Sequence, residues 1–456
     1  MNPLLRFLPV VMLPLAATAL AESVTVNPQD VEVRDFRGWG TSLCWWAHAL
    51  GGASPQVREE IATQAFDLRK GLGLTVVRYN IGGGERPGLE GTMEARARIE
   101  GFQPEEGKWN WSADPGQRAF LKLAVQAGVT EIEAFSNSPP WWMTWSGSAA
   151  GNHNGGPNLR DDRIDAFAAY LADVTRFFRD KENITFTSLT PLNEPSSLWW
   201  KYGGHQEGCN IPPKQQPKIL QAVSRALLAR GLRTAVVGPE ENAVAQTITA
   251  VRSYDPATCA LLGRIHTHTY NANHRAELRK LAATHHRDIW QSEYGDGDAS
   301  GMTLAKTIIA DLRDLRPTAW VYWQLVDNGG WGLLHFPAAS GGSAPVMPKY
   351  HIFSAFTRFL RPGCQLVASG SPDALAALDP TRGRSVVIVL NPRDQAEPLT
   401  LDLSRFPKIG RTANPWQTVA GAPLSACAPV EIVNKRITLA LPPHSVTAFH
   451  LPGTGM

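Results

Sequence analysis

Residues 161–192 read DDRIDAFAAYLADVTRFFRDKENITFTSLTPL. Over Asp161–Arg179 the apolar side chains Ile164, Phe167, Ala168, Leu171, Val174 and Phe178 recur at helical spacing, and the strand-like run Phe186–Leu192 follows. A helix feeding a short apolar strand is one part of a βαβ unit. The alternation continues in both directions. Strand-like runs occupy Gly38–Trp46, Leu74–Ile81, Glu131–Ser136, Thr234–Val237, Arg264–Tyr270, Asp288–Glu293 and Ala319–Leu325, with helical stretches such as Pro217–Arg230 and Thr303–Leu315 between them. Eight strands alternating with helices predict an α/β fold, a (β/α)8 TIM barrel. A doubly wound open sheet competes with it, but that fold announces itself by a Gly-rich phosphate turn after its first strand. Here Gly82-Gly83-Gly84 ends the second strand and lacks dinucleotide spacing.

After Arg361-Pro362-Gly363 the texture changes. Ser385–Leu390, Leu399–Leu403, Glu431–Val433, Arg436–Leu441 and Ser445–Leu451 are short, β-rich and separated by Pro/Gly turns, which predicts a C-terminal all-β sandwich side domain. Ser23–Arg34 is also strand-like and is expected to join that sandwich as an N-terminal strand. The expected division is 1–21 signal peptide, 22–35 N-terminal strand, 36–360 barrel and 361–456 β-sandwich. The signal reading rests on a charged Met1–Arg6, an apolar Phe7–Ala17 and the small-x-small site Ala19-Leu20-Ala21. The apolar run is too short to span a bilayer, so a secreted or periplasmic protein with no membrane contact after cleavage is expected.

Composition narrows the partners. Of 456 residues, 44 are Lys or Arg and 41 Asp or Glu, and no basic block occurs, which argues against nucleic acid. Five cysteines (Cys44, Cys209, Cys259, Cys364 and Cys427) show no metal spacing, and a Cys209–Cys259 disulfide is permitted without being assigned. A monomer without metal or cofactor is expected.

Reactive groups of a barrel sit at the C-terminal ends of its strands. The fourth strand ends Thr190-Pro191-Leu192-Asn193-Glu194-Pro195 and the seventh Trp290-Gln291-Ser292-Glu293-Tyr294. Two glutamates facing each other across a barrel mouth suit glycosidic cleavage, where one carboxylic acid protonates the leaving oxygen and one carboxylate meets the oxocarbenium-like carbon. Glu240, Glu241 and Asp327 are rival carboxylates, read as sugar-hydroxyl acceptors or structural groups.

Those two strand ends resemble glycoside hydrolase family 30, in a clan of retaining barrel glycosidases. Leu441-Pro442-Pro443-His444-Ser445-Val446-Thr447 resembles the family's usual ending. More narrowly, Gly38-Trp39-Gly40-Thr41-Ser42-Leu43-Cys44-Trp45-Trp46-Ala47 and Ser136-Asn137-Ser138-Pro139-Pro140-Trp141-Trp142-Met143 are similar to the first and third strand ends of its endo-β-1,6-galactanase branch. The resemblance implies Glu194 as acid/base, Glu293 as nucleophile, and a β-galactan polysaccharide or oligosaccharide substrate. Related specificities of the family (β-1,6-glucanase, glucosylceramidase, xylanase, exo-β-glycosidase) and a non-catalytic carbohydrate-binding barrel stand as alternatives.

Other residues are expected to support that pair. Arg78 can hold the nucleophile ionised through a charge-assisted bond, Tyr270 can donate its hydroxyl to Glu293, and Asn193 can bind the sugar hydroxyl beside the reacting carbon. His266 and His268 share one face of strand six and are read as supporting or sugar-contacting groups rather than a metal pair. Among 15 tryptophans, nine gather at predicted strand ends: Trp45, Trp46, Trp141, Trp142, Trp145, Trp199, Trp200, Trp323 and Trp331. Indole covers the apolar face of a pyranose, and Trp323 is expected to floor the cleavage subsite. With Asn137, Trp45, Trp46, Trp141 and His268 complete the candidate substrate-binding set.

Overall fold

The computed structural model describes residues 22–89, 91–338 and 342–454. The expected signal peptide, residues 1–21, lies outside the described residues.

Eight parallel strands form the barrel: β1 (Gly38–Ser42), β2 (Val76–Asn80), β3 (Glu131–Phe135), β4 (Ser188–Thr190), β5 (Ala235–Val236, resuming as Gly238–Ala243), β6 (Ile265–Asn271), β7 (Ile289–Tyr294) and β8 (Ala319–Gln324). The sheet path runs from the first half of β5 through β4, β3, β2, β1, β8, β7 and β6 to its second half. Both ends of the path therefore belong to one strand, interrupted at Val237, whose N–H still bonds the Leu189 carbonyl of β4. The sheet closes on itself. Sequence places the end of β5 at Val237, because Gly238-Pro239 reads as a breaker. The strand instead runs to Ala243, so Glu240 and Glu241 lie within it and not beyond it.

Helices pack outside the barrel, their starts fixed by local chemistry. Ser54-Pro55, Asp114-Pro115 and Asp255-Pro256 each place a capping oxygen before a proline, and each cap side chain accepts from a backbone N–H three residues on. Ile164–Lys181 buries Phe167, Leu171, Val174 and Phe178 on one face, as its spacing predicts. Within the barrel Val76, Trp290, Ala319 and Val321 pack together, which makes the interior a filled core.

The C-terminal segment forms two sheets over a core that includes Val387, Val389, Leu399, Leu401, Phe449 and Leu451. The N-terminal stretch contributes to both. Glu22–Thr25 pairs in parallel with Glu397–Asp402, and Asn27–Val33 pairs antiparallel with Gln365–Ala368.

Candidate active site

Strand register decides which side chains share a level of the barrel. Arg78 on β2 stands beside Glu133 on β3, and Glu133 beside Ser188 on β4, while Glu293 on β7 stands beside His268 on β6. Arg78 is wholly buried. Its Nε donates to Glu133 Oε1 (3.0 Å), its Nη2 to Glu240 Oε2 (3.1 Å) and its Nη1 to Glu293 Oε2 (2.9 Å) and the Ser292 carbonyl (3.1 Å).

The second oxygen of Glu293 accepts the Tyr270 hydroxyl at 3.0 Å. That oxygen also lies 3.6 Å from His268 Nδ1. The same nitrogen is 3.1 Å from Glu194 Oε1, which accepts Asn242 Nδ2 at 2.7 Å. His268 Nε2 faces Glu240 Oε2 at 3.0 Å. Glu194 and Glu293 thus flank one imidazole, with an oxygen of each within 4.8 Å of the other. Both line a cavity of about 600 Å³ at the barrel mouth.

Burial pushes the Glu293 carboxyl above its ordinary range, and the carboxylates of Glu194 and Glu240 add to this, against the pull of His268 and Arg78. Burial also disfavours a charged His268, yet Glu293, Glu194 and Glu240 together hold it up to about 10. The imidazolium is therefore the form present at neutral pH. Glu240 is desolvated too, but Arg78, His266 and His268 keep it well below the usual carboxylate range. It stays an anion that anchors the cations.

The backbone is strained at two of these carboxylates. Glu194 and Glu240 adopt left-handed φ of 46° and 64°, a conformation that costs a non-glycine residue about 1 kcal/mol or more. Each supports the other, because the Glu194 N–H donates to the Glu240 carbonyl at 2.7 Å.

Among the described residues, two groups could offer ligands to a cation: Glu133, Glu240 and His266, and Glu194, His268 and Glu293. Arg78 contacts Glu133, Glu240 and Glu293, so the chain itself supplies positive charge to both groups.

The structure sorts the candidate substrate contacts. Asn137, Asn193, Trp45, Tyr270 and Trp323 line the cavity, and Trp199, Trp200 and Trp331 join them. Arg78 and His268 sit behind the carboxylates with no exposure, so they hold those groups and do not reach into the cavity. Trp46 is a correction: its ring packs against Phe120 at 4.7 Å and its N–H bonds the Ser42 carbonyl, placing it in the core. The chain turns into a short helical segment, Trp46–Ala49, after β1, and that directs the indole outward under the helices. Trp141 is a second correction. It donates to the Pro104 carbonyl and stacks under Arg86, outside the cavity lining. Trp142, which donates to the Gln103 carbonyl beneath Arg163, and Trp145, beneath Arg160, also lie outside that lining. Of the rival carboxylates, Glu240 and Glu241 are buried and hydrogen-bonded within the protein, whereas Asp327 lines the cavity.

Sequence reasoning missed Asn242, Gln206 and Arg96. Asn242 follows the proline that seemed to end β5. Arg96 lies in a single 3₁₀ turn, Ala95–Ala97, too short to show a periodicity, yet it bonds Asp327 Oδ1 at 2.5 Å and covers the Trp45 ring at 5.2 Å. One face of Trp45 is thereby occupied. All five cysteines are free, so no Cys209–Cys259 bridge forms.

Residues 21–258 match the profile of O-Glycosyl hydrolase family 30. The chain is 31% identical over 427 residues to an endo-beta-1,6-galactanase of Hypocrea rufa, covering 88% of each protein. It is 23% identical to an exo-beta-1,6-galactobiohydrolase of Bifidobacterium longum subsp. longum, covering 88% of this chain and 36% of that longer protein. Among solved structures, the catalytic domain of the GH30 xylanase C of Talaromyces cellulolyticus superposes with a TM-score of 0.73 at 20% identity, covering 94% of this chain and all of that one. A conserved exported protein of Bacteroides fragilis superposes at 0.81 with 19% identity and the same coverage.

Proposed function

The chain belongs to glycoside hydrolase family 30, and from that premise we propose that it cleaves internal β-1,6-galactosyl linkages of galactan side chains by double displacement. Glu293 attacks the anomeric carbon while Glu194 protonates the departing glycosidic oxygen. Water, deprotonated by Glu194, then releases the sugar from Glu293 with net retention. The chief support is the convergence of the two carboxylates on His268, with oxygens within 4.8 Å. Retaining glycosidases hold the pair about 5–5.5 Å apart, and inverting ones leave room for a water.

The surroundings suit those roles. Arg78 and Tyr270 both donate to Glu293, which favours the anion that attacks. Glu194 accepts from Asn242 and borders the open cavity, where a leaving group can be reached. The imidazolium of His268 lies between the two and lowers the repulsion of paired anions. Galactan is favoured over the other family specificities by the Hypocrea rufa relative. Export follows from the reading of residues 1–21. Among the described residues no helix is long and apolar enough to cross a membrane.

Incubation with β-1,6-galactan and β-1,6-glucan, with product sizing, tests the assignment. A ladder of galacto-oligosaccharides from galactan alone is expected. Release of one disaccharide only would convert the reading to exo action, as the name of the Bifidobacterium relative describes for that protein. Products from glucan and none from galactan would overturn it. Proton NMR of the first products should show the β anomer before mutarotation, and an initial α anomer would remove Glu293 as nucleophile.

A further inference from the structure

The glycine run at the end of β2 has no part in the chemistry above, and neither does a buried acid on the loop after β4. They belong together. Glu207 is 1% exposed, and its Oε1 accepts the N–H of Gly83 (2.9 Å) and of Gly84 (3.2 Å). Its Oε2 accepts Asn80 Nδ2 at 2.9 Å. No ion pair joins Glu207 among the described residues, and a buried carboxylate without a cation is costly unless its hydrogen bonds are complete. Burial pushes its carboxyl up to about 8 against the pull of those three donors.

The glycines are required by space. A Cβ on Gly83 would lie 2.5 Å from the Pro139 carbonyl oxygen, and Gly84 has φ +72°. Only such residues let the end of β2 tuck against β3 and turn two amides toward Glu207.

From Glu207 two paths lead to the cavity. On the first, a Cβ on the next residue, Gly208, would lie 2.0 Å from Trp200 Cε3. The indole is thus pressed on that backbone, and its Nε1 donates to the Glu194 carbonyl at 2.9 Å. On the second, Asn80 Oδ1 accepts the N–H of Asn137, a cavity residue, at 3.2 Å.

We propose that Glu207 is a positioning residue of the reaction: by fastening the loop after β4 to the glycine end of β2, it sets, through Gly208 and Trp200, the place of Glu194. This rests on the reading of Glu194 as the group that protonates the leaving oxygen. The carbonyl of Glu194 is held by Trp200, and its N–H by Glu240, so the strained φ has a support on each side. Removing one support frees the carboxyl to drift from the glycosidic oxygen, and proton transfer suffers first because it needs hydrogen-bond reach.

Glu207→Gln is the test. An amide has the same shape, but either carboxyl oxygen, protonated or not, keeps a lone pair for the donor it faces, whereas the NH2 has none to offer and must meet the glycine amides or Asn80 Nδ2 donor against donor. Two substrates separate positioning from general damage: a galacto-oligosaccharide, whose leaving alcohol needs a proton, and a 2,4-dinitrophenyl β-1,6-galactobioside, whose leaving group departs without one. The variant should lose about 10- to 100-fold in kcat/KM on the first, part of what a general acid contributes, and stay within about 3-fold on the second. Glu194→Gln, run beside it, should show the same preference more strongly. If Glu194→Gln slows both substrates alike, the role of Glu194 is wrong. If it discriminates while Glu207→Gln slows both alike or neither, the positioning role is overturned. Should Glu207→Gln fail to fold by circular dichroism, Gly208→Ala moves the indole with Glu207 left intact. It is held to the same criterion.

Discussion

His268 touches all three of the carboxylates Glu194, Glu293 and Glu240, which makes its charge the most measurable quantity in the site. Its pKa is raised from 6.5 to about 10, which corresponds to about 5 kcal/mol of interaction favouring the folded imidazolium. A group raised on folding stabilises fully below its unfolded pKa and ceases to do so once pH passes its folded value. The contribution of His268 should therefore be complete below pH 6.5 and vanish as pH approaches 10. His268→Gln keeps a hydrogen-bonding side chain and deletes the charge. Urea denaturation of both proteins at intervals from pH 6 to pH 10 should give a stability gap of several kcal/mol at the acid end that closes toward the alkaline end. The steepest closure should be about 1.4 kcal/mol per pH unit, the limit for one proton. A gap that stays constant, or widens with pH, would show that His268 is neutral in the folded protein and that the two carboxylates are not separated by a cation.

Glu293→Gln should lower kcat by about 10⁴-fold or more with an unchanged circular dichroism spectrum, since it deletes the nucleophile and little packing; azide should partly restore turnover to Glu194→Ala as a β-glycosyl azide, and failure of both would remove the assignment. Glu293 must be ionised to attack and burial raises its pKa, so activity should rise with pH along a limb lying above pH 4.5. Tyr270→Phe, which takes away a donor to the anion, should move that limb further up in the pH profile of kcat/KM. Trp46→Ala should destabilise the protein by about 3–5 kcal/mol in thermal unfolding with KM little changed, because the ring lies in the core and not in the cavity. Gly83→Ala, with Pro139 O at 2.5 Å from the added carbon, should cost both stability and activity, measured by unfolding and by galactan hydrolysis.

The barrel is legible in the sequence because strands such as Val76–Asn80 and Ala319–Gln324 begin as apolar runs and helices such as Ile164–Lys181 carry a 3.6-residue stripe, signals that tertiary packing reinforces. The side domain is legible only in part. Ala374–Asp379 is built of Ala and Leu, which favour helix, and becomes a strand by pairing on both edges with Gln365–Ala368 and Arg384–Asn391. Thr412–Val419 contains Pro415, which sequence reads as a break. At the site, Glu194 and Glu293 stand out because strand ends are where a barrel presents its polar groups. Trp45 and Trp46 are neighbours with opposite fates, one lining the cavity and one in the core, since the short helix after β1 begins at Trp46 and composition is blind to it. Arg96 reaches the cavity from a one-turn 3₁₀ segment and Gln206 from an irregular loop, and neither is long enough to show a period.

The pairing of residues 22–33 constrains how the protein can be made and cut. Glu22–Thr25 and Asn27–Val33 each occupy the margin of a different sheet, and their partners lie beyond residue 364. A ribosome thus delivers the first strands long before anything exists for them to bond, and they must wait while the barrel between them and their partners takes shape. Severing the chain after residue 360 would not yield a barrel and a sandwich. It would leave one piece trailing two orphaned strands and the other with the flanks of Gln365–Ala368 and Glu397–Asp402 bare, ready to recruit strands from neighbouring molecules.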